Sequence, residues 1–202
     1  MKSLLSLLIT FFISFNANSQ QPKLWTDADR NFLLDNLKRS RDELQKETAN
    51  LTEKQWNFKE TPDRWSIKQV VEHIGIWELL LQREINLAYE GGPKPEMAAT
   101  AAPDSAILKY LADETPHIAT EYTKPFTFTV PMGLIDGKTN VAWFTKMRNE
   151  SIDFLTTTTE DIRLYFGRPR RSMHFAYIST FAHTDRHLKQ IRKIKSHSAY
   201  PR

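Results

Sequence analysis

The stretch SMHFAYISTFAHTDRHLKQIRKIK, residues 172–195, predicts a long amphipathic helix that carries two histidines one turn apart. At about 100° per residue, His183 and His187 project only about 40° from each other. The same side of the helix also carries Met173, Tyr177, Thr180, Thr184 and Ile191. This side is therefore expected to face the interior of a helical bundle. The two imidazoles are then buried polar residues, an exposed basic edge or two ligands of one metal ion, and the metal needs a third ligand elsewhere.

A third histidine lies in another predicted long helix, SIKQVVEHIGIWELLLQREINLAYEGG, residues 66–92. Ser66 and Gln69 form a capping box at its start, and two glycines end it. His73 lies one residue from the apolar stripe, which consists of Ile67, Val70, Val71, Ile74, Trp77 and Leu81. If this helix packs face to face with the last one, His73 meets the histidine pair. Three protein ligands would leave one coordination position open, which is typical of catalytic rather than structural metal sites.

Two further long helices are predicted, over about residues 27–50 and 140–158. The first opens with Thr26 and Asp29, an N-cap followed by an acid three residues later. Its apolar residues at helical spacing are Phe32, Leu33, Leu37 and Leu44. Those of the other are Val141, Phe144, Met147 or Arg148, Ile152 and Leu155. Four principal helices with longer connectors predict an all-α fold, a four-helix bundle with an inserted segment, residues 93–139, between the second and third bundle helices.

The connectors show weaker patterns. Residues 93–103 and 160–171 are interpreted as irregular connections, and residues 104–115 predict a short helix. Residues 125–140 fit a short hairpin or an irregular cover that ends in a turn at Asp136 and Gly137. In the connectors, Trp56, Phe58 and Trp65 are expected to anchor in the core. Phe126 and Phe128 alternate with polar residues, as in a strand.

The N-terminus, MKSLLSLLITFFISFNANSQ, has the composition of a secretory signal peptide. Ala17 and Ser19 would lie at positions −3 and −1 of a cut before Gln20, so residues 1–19 are the predicted leader and 20–202 the bundle domain. An uncleaved N-terminal anchor is the alternative. We therefore expect an exported protein, periplasmic or secreted, with no stable membrane span after cleavage. The chain has no cysteine, which excludes disulfides, thiol nucleophiles and lipid attachment to a cysteine.

The net charge of +4 is mild for a chain of 202 residues. Its basic residues concentrate near the C-terminus, in RPRR at 168–171 and along the last helix. Such a surface could attract a polyanion, but cations also favour the C-terminal turns of a helix, and a solvated face explains the rest. We expect no nucleic-acid partner.

Three segments together resemble the DinB/YfiT-like superfamily: RWSIKQVVEHI at 64–74, EDIRLYFGRP at 160–169 and HTDRHLKQI at 183–191. The resemblance covers roughly residues 25–201. It implies a four-helix bundle and a divalent metal ion held by three histidines, which fall on His73, His183 and His187. Members include thiol-dependent S-transferases and maleylpyruvate isomerase-like enzymes. This chain differs from them in its expected export, away from cytosolic thiol cofactors, and in its insert.

The function expected from these features is that of a metal-dependent enzyme of the hydrolase or transferase type, acting on a small molecule. The ion would be Zn, Ni, Fe or Mn, and it would lower the pKa of a bound water or thiol or polarise a carbonyl. The alternative is a non-catalytic metal- or small-ligand-binding bundle of the cell envelope, and a homodimer is left open. Gln190 and Trp77 are expected to line the site. The carboxylates considered as acid–base groups, none of them on the histidine stripe, are Glu72, Glu78 and Asp185. The other histidines, interpreted as surface or local packing, are His117, His174 and His197.

Overall fold

Four long helices build the fold, as the sequence predicts. The computed structural model describes residues 24–113 and 129–202. The long helices are α1 (Asp27–Thr48), α3 (Ile67–Glu90), α5 (Gly137–Thr157) and α6 (Met173–Ser196). The shorter elements are α2 (Glu53–Asn57), a 3₁₀ helix (Pro95–Thr100), α4 (Asp104–Ala112), β1 (Phe166–Arg168) and β2 (Arg171–Ser172). The predicted all-α class and bundle architecture are confirmed.

Side-chain caps explain where the long helices begin. Thr26 with Asp29 starts α1, and Ser66 with Gln69 starts α3, each as a reciprocal capping box. Asp136 caps α5 by accepting the Thr139 backbone N–H at 2.9 Å. The predicted turn at Asp136 and Gly137 is therefore wrong, since the helix begins there. A Cβ on Gly137 would lie 2.4 Å from the Trp56 ring, so this close packing requires glycine.

Residue pairs between the helices fix their relative directions. They are Arg39–Asp185 and Glu47–Lys195 (α1 with α6), Arg41–Asn149 and Gln45–Thr145 (α1 with α5), and Glu78–Arg148 and Gln82–Ser151 (α3 with α5). In the first and third sets, the residue numbers of both helices increase together. In the second set, the number in α1 increases while the number in α5 decreases. Helices α3 and α5 are thus parallel to each other and antiparallel to α1 and α6. The chain must return along the bundle between α3 and α5, which gives the insert at 93–139 a topological reason.

The remaining elements correct the sequence interpretation in detail. The connection at 160–171 contains most of a small antiparallel hairpin, β1 with β2. The connection between α1 and α3 contains α2. A 3₁₀ helix lies in the predicted loop 93–103. Phe32, expected on the apolar side of α1, is 40% exposed, whereas Leu33 and Leu37 are fully buried. These differences leave the bundle core unchanged.

Several predictions lie outside the described residues: the leader 1–19 with its cleavage site at Ala17 and Ser19, His117, Phe126 and Phe128. In the part of the chain that is described, no helix is both long and apolar enough to cross a membrane.

Candidate metal centre

The three predicted histidines meet between α3 and α6. One ring nitrogen from each of His73, His183 and His187 lies within 4.8 Å of the others. The Nε2 atoms of His183 and His187 are 3.1 Å apart. The ring of His73 lies 4.8 Å from that of His187 and 5.3 Å from that of His183, between centroids. Antiparallel packing of α3 on α6 therefore joins a histidine from the first half of α3 to a pair near the middle of α6.

Hydrogen bonds orient two of the three rings. His73 Nδ1 lies 2.8 Å from the Thr129 carbonyl oxygen, and His187 Nδ1 lies 2.8 Å from Gln190 Oε1. Because a carbonyl oxygen only accepts, each Nδ1 carries the proton and donates it. The lone pair of each ring is then on Nε2, the other ring nitrogen. A proton held by a neighbour on the outer nitrogen is the usual arrangement of histidines that bind metal ions.

The spacing of the nitrogens fits a divalent ion once the side chains turn towards it. In a tetrahedral site with metal–nitrogen bonds of about 2.1 Å, two ligand atoms lie about 3.4 Å apart. The 3.1 Å separation of the His183 and His187 nitrogens is already close to this distance. The widest separation, up to 4.8 Å, would have to close by about 1.4 Å. Three imidazoles suit Zn, Ni or Fe, so the chemistry of the donors also fits.

Burial keeps the imidazoles neutral. His73 is 9% exposed and His187 7%. Burial lowers the pKa of His73 to about 4, against the Thr129 hydrogen bond that raises it. Burial and the nearby His73 lower the pKa of His187 to about 3. For His183, burial and then the other two histidines hold the pKa well below its ordinary value. All three rings therefore have a lone pair at neutral pH.

Two indoles flank the cluster. The Trp65 ring lies 4.8 Å from that of His73, and the Trp77 ring lies 5.4 Å from that of His183, between centroids. Both tryptophans are partly exposed. Trp77 and Gln190 thus lie where residues lining the site were expected. Trp65, predicted only as a core anchor, also contacts the site, and nothing in its sequence position distinguishes the two roles.

The three candidate carboxylates are engaged elsewhere. Glu72 accepts the backbone N–H groups of Met132 and Gly133 at 3.1 and 2.5 Å. Glu78 is 2% exposed and pairs with Arg148, and Asp185 pairs with Arg39 at the surface. Each therefore has a structural partner, and none of the three shows a hydrogen bond to the imidazoles among the described residues.

The other described histidines are separate from this site. His174 is 1% exposed and contacts Trp25 and Asp104 near the start of α6. His197 packs on Phe58 near the C-terminus. Local packing accounts for both.

Comparison with protein families identifies the superfamily of this chain. The family model of the DinB superfamily matches residues 36–191, which is more than half of the chain and includes all three histidines. No curated protein and no solved structure matches the chain.

Proposed function

Since the chain belongs to the DinB superfamily, we propose that it is a metal-dependent enzyme of the hydrolase or transferase type, with one divalent ion held by His73, His183 and His187. The observation that carries the proposal is the meeting of three neutral imidazole nitrogens within 4.8 Å. Zn, Ni, Fe and Mn are the candidate ions. Such a metal ion, when bound, supplies a Lewis acid that activates a ligand or polarises a substrate carbonyl.

The residues around the histidines prepare the site for this chemistry. Thr129 and Gln190 hold the Nδ1 protons of His73 and His187, so the ligand nitrogens are directed before the ion arrives. The Trp65 and Trp77 rings cover the imidazoles and limit the access of water. Three protein ligands leave a coordination position for a small-molecule substrate.

A second candidate function is a non-catalytic metal- or small-ligand-binding bundle of the cell envelope. The observation that favours it is the engagement of Glu72, Glu78 and Asp185 in other contacts, which leaves these carboxylates without a role as general base. Detection of substrate turnover by the metal-loaded protein would separate the two functions.

We also propose that the protein has no nucleic-acid partner and that it is exported. The ion pairs of the C-terminal basic residues support the absence of a nucleic-acid partner, because Arg192 pairs with Glu43 and Glu47, and Lys195 with Glu47. The leader-like composition of residues 1–19 supports export to the periplasm or beyond the cell.

Metal analysis of the purified protein tests the proposal. We expect about one equivalent of a divalent ion in the wild type and none in a His183→Ala, His187→Ala double variant. His197→Ala is the matched control, since it removes a histidine that lies outside the cluster, and it should keep the metal. A folded wild-type protein that stays metal-free after incubation with each of the four ions would rule out the metalloenzyme and leave the small-ligand-binding bundle.

A further inference from the structure

A fully buried arginine lies at the centre of the bundle. Arg148, on α5, is 0% exposed, and its partner Glu78, on α3, is 2% exposed. The guanidinium donates to both carboxylate oxygens, from Nε at 2.7 Å and from Nη2 at 2.8 Å. This bidentate geometry fixes the orientation of both side chains.

The same guanidinium also contacts the other two long helices. Its Nη1 donates to Ser40 Oγ of α1 at 2.6 Å and to the Leu37 carbonyl oxygen at 3.2 Å. Its Nη2 donates to Thr184 Oγ1 of α6 at 3.0 Å. One side chain of α5 therefore bonds directly to α1, α3 and α6.

These contacts lie within two helical turns of the histidines on both helices that supply them. Thr184 directly follows His183 on α6, and Glu78 lies five residues after His73 on α3. The relative position of α3 and α6 determines whether the three nitrogens can reach one ion. A slip by one residue would move the helices by about 1.5 Å, which is as large as the whole adjustment of about 1.4 Å that the site still needs.

We propose that the Arg148–Glu78 pair is a positioning device for the metal centre, which holds α3 and α6 in the register that brings His73 to the His183–His187 pair. This inference rests on the proposed metal site and adds to it a residue, Arg148, that touches none of the ligands directly. Buried ion pairs often add little stability compared with apolar side chains of similar size, whereas a satisfied polar network favours one packing over others. Metal affinity, rather than stability, is therefore the property on which the pair acts.

The deciding variant replaces both partners, Glu78→Leu with Arg148→Met. It removes one negative and one positive charge, so the net charge near the ion does not change. It also leaves the former acceptors with other partners, since Ser40 Oγ donates to the Leu37 carbonyl and Thr184 Oγ1 to the Thr180 carbonyl. We expect a folded protein with a Tm close to that of the wild type.

Affinity is measured by titrating the metal-free protein with Zn²⁺ and with Co²⁺, whose visible absorption bands report ligand geometry. We expect the double variant to bind each ion about tenfold more weakly, the lower end of the range for partners that touch metal ligands directly, because the pair acts only through the positions of the helices. We also expect altered Co²⁺ bands. The control is Arg163→Met. Arg163 pairs with Asp29 and Asp104 beside the first turn of α6, so its loss should lower the Tm and leave the affinity unchanged.

The outcomes are distinguishable. A folded double variant with wild-type affinity and wild-type Co²⁺ bands would overturn the role of the pair and leave the metal site intact. If the double variant does not fold, Arg148→Lys decides by the same criteria, because lysine keeps the charge but cannot bind the carboxylate in bidentate fashion. A wild-type protein that binds neither ion would remove the proposed function and the positioning role together.

Discussion

Two buried histidine regions lie on the same helix, α6, and differ in their hydrogen-bond partners. His174, in the first turn, is 1% exposed, and His187, further along, is 7% exposed. Both ring nitrogens of His174 contact side chains other than histidine. Trp25 Nε1 lies 3.1 Å from Nδ1, and Nε2 lies 3.2 Å from an Asp104 carboxylate oxygen and 2.9 Å from Arg163 Nη2. His187 has such a partner on Nδ1 only, and its Nε2 faces His183.

The partners decide which region can bind a metal ion. An indole N–H only donates, so His174 Nδ1 accepts the hydrogen bond from Trp25, and Nε2 lies between the Asp104 carboxylate and the Arg163 guanidinium. Both ring nitrogens of His174 are therefore engaged by other side chains. The Gln190 oxygen has a different effect on His187. It accepts the hydrogen bond from Nδ1–H, so the Nε2 lone pair of His187 faces the cluster. Burial alone would not have separated the two histidines.

The largest expected effect tests the cluster side of this comparison. His73→Ala removes the only histidine that α3 contributes to the proposed site, and the affinity for Zn²⁺ should fall by about 100-fold or more, beyond the range typical of outer partners. Calorimetric titration of the metal-free protein measures it. Unchanged affinity would show that His183 and His187 bind without α3, and the three-histidine site would be wrong.

The second prediction tests the other region. His174→Phe removes the acceptor of the buried Trp25 N–H, and the free energy of unfolding should fall by about 1–3 kcal/mol, measured by urea denaturation. Metal affinity should not change. His174→Gln, whose amide oxygen can accept the same bond, should recover part of the stability. A loss of metal binding in His174→Phe would show that the two regions are coupled through α6.

The third prediction concerns the orientation of a ligand. Gln190→Ala removes the acceptor that holds His187 Nδ1–H, and Zn²⁺ should bind about tenfold more weakly, which corresponds to about 1.4 kcal/mol. Gln190→Glu is the matched comparison, because its carboxylate accepts the same proton and should keep or raise the affinity. Equal losses in both variants would mean that the hydrogen bond does not orient the ring.

Much of this candidate site could be predicted from the sequence because its three histidines follow helical periodicity. The spacing of His183 and His187, the capping box at Ser66 and the apolar stripe beside His73 are local features. The Thr129 carbonyl could not be predicted, since any residue in an irregular segment can offer a main-chain oxygen. The small hairpin β1–β2 was also missed, because strands of three and two residues are too short for an alternating pattern.

The Arg148–Glu78 pair lies between these cases. Position 148 was in step with the apolar residues of α5, but Met147 fitted nearly as well. Glu78 follows Ile74 by four residues and so lies on the buried side of α3, where a carboxylate needs a partner. A charged residue on an apolar stripe was therefore the available signal. The identity of its partner depends on which helices pack together, and periodicity does not contain that information.

The smallest expected effect distinguishes the regions by pH. Burial raises the pKa of Asp104. Hydrogen bonds from His174 and Arg163 outweigh this effect and hold that pKa well below its ordinary value. Because the folded protein holds this proton more weakly than the unfolded chain, Asp104 stabilises the fold above its unfolded pKa of about 3.9, and this contribution is lost as the pH falls further. The Asp104 side chain is 31% exposed, so screening should limit its contribution to about 1 kcal/mol or less.

Urea denaturation at pH 7 and at pH 3 tests this contribution. The free energy of unfolding should fall less between these pH values for Asp104→Asn than for the wild type. If the two losses are equal, the Asp104–His174 contact does not differ in strength between the two protonation states, and the acid sensitivity of the protein comes from other groups, the histidine cluster among them.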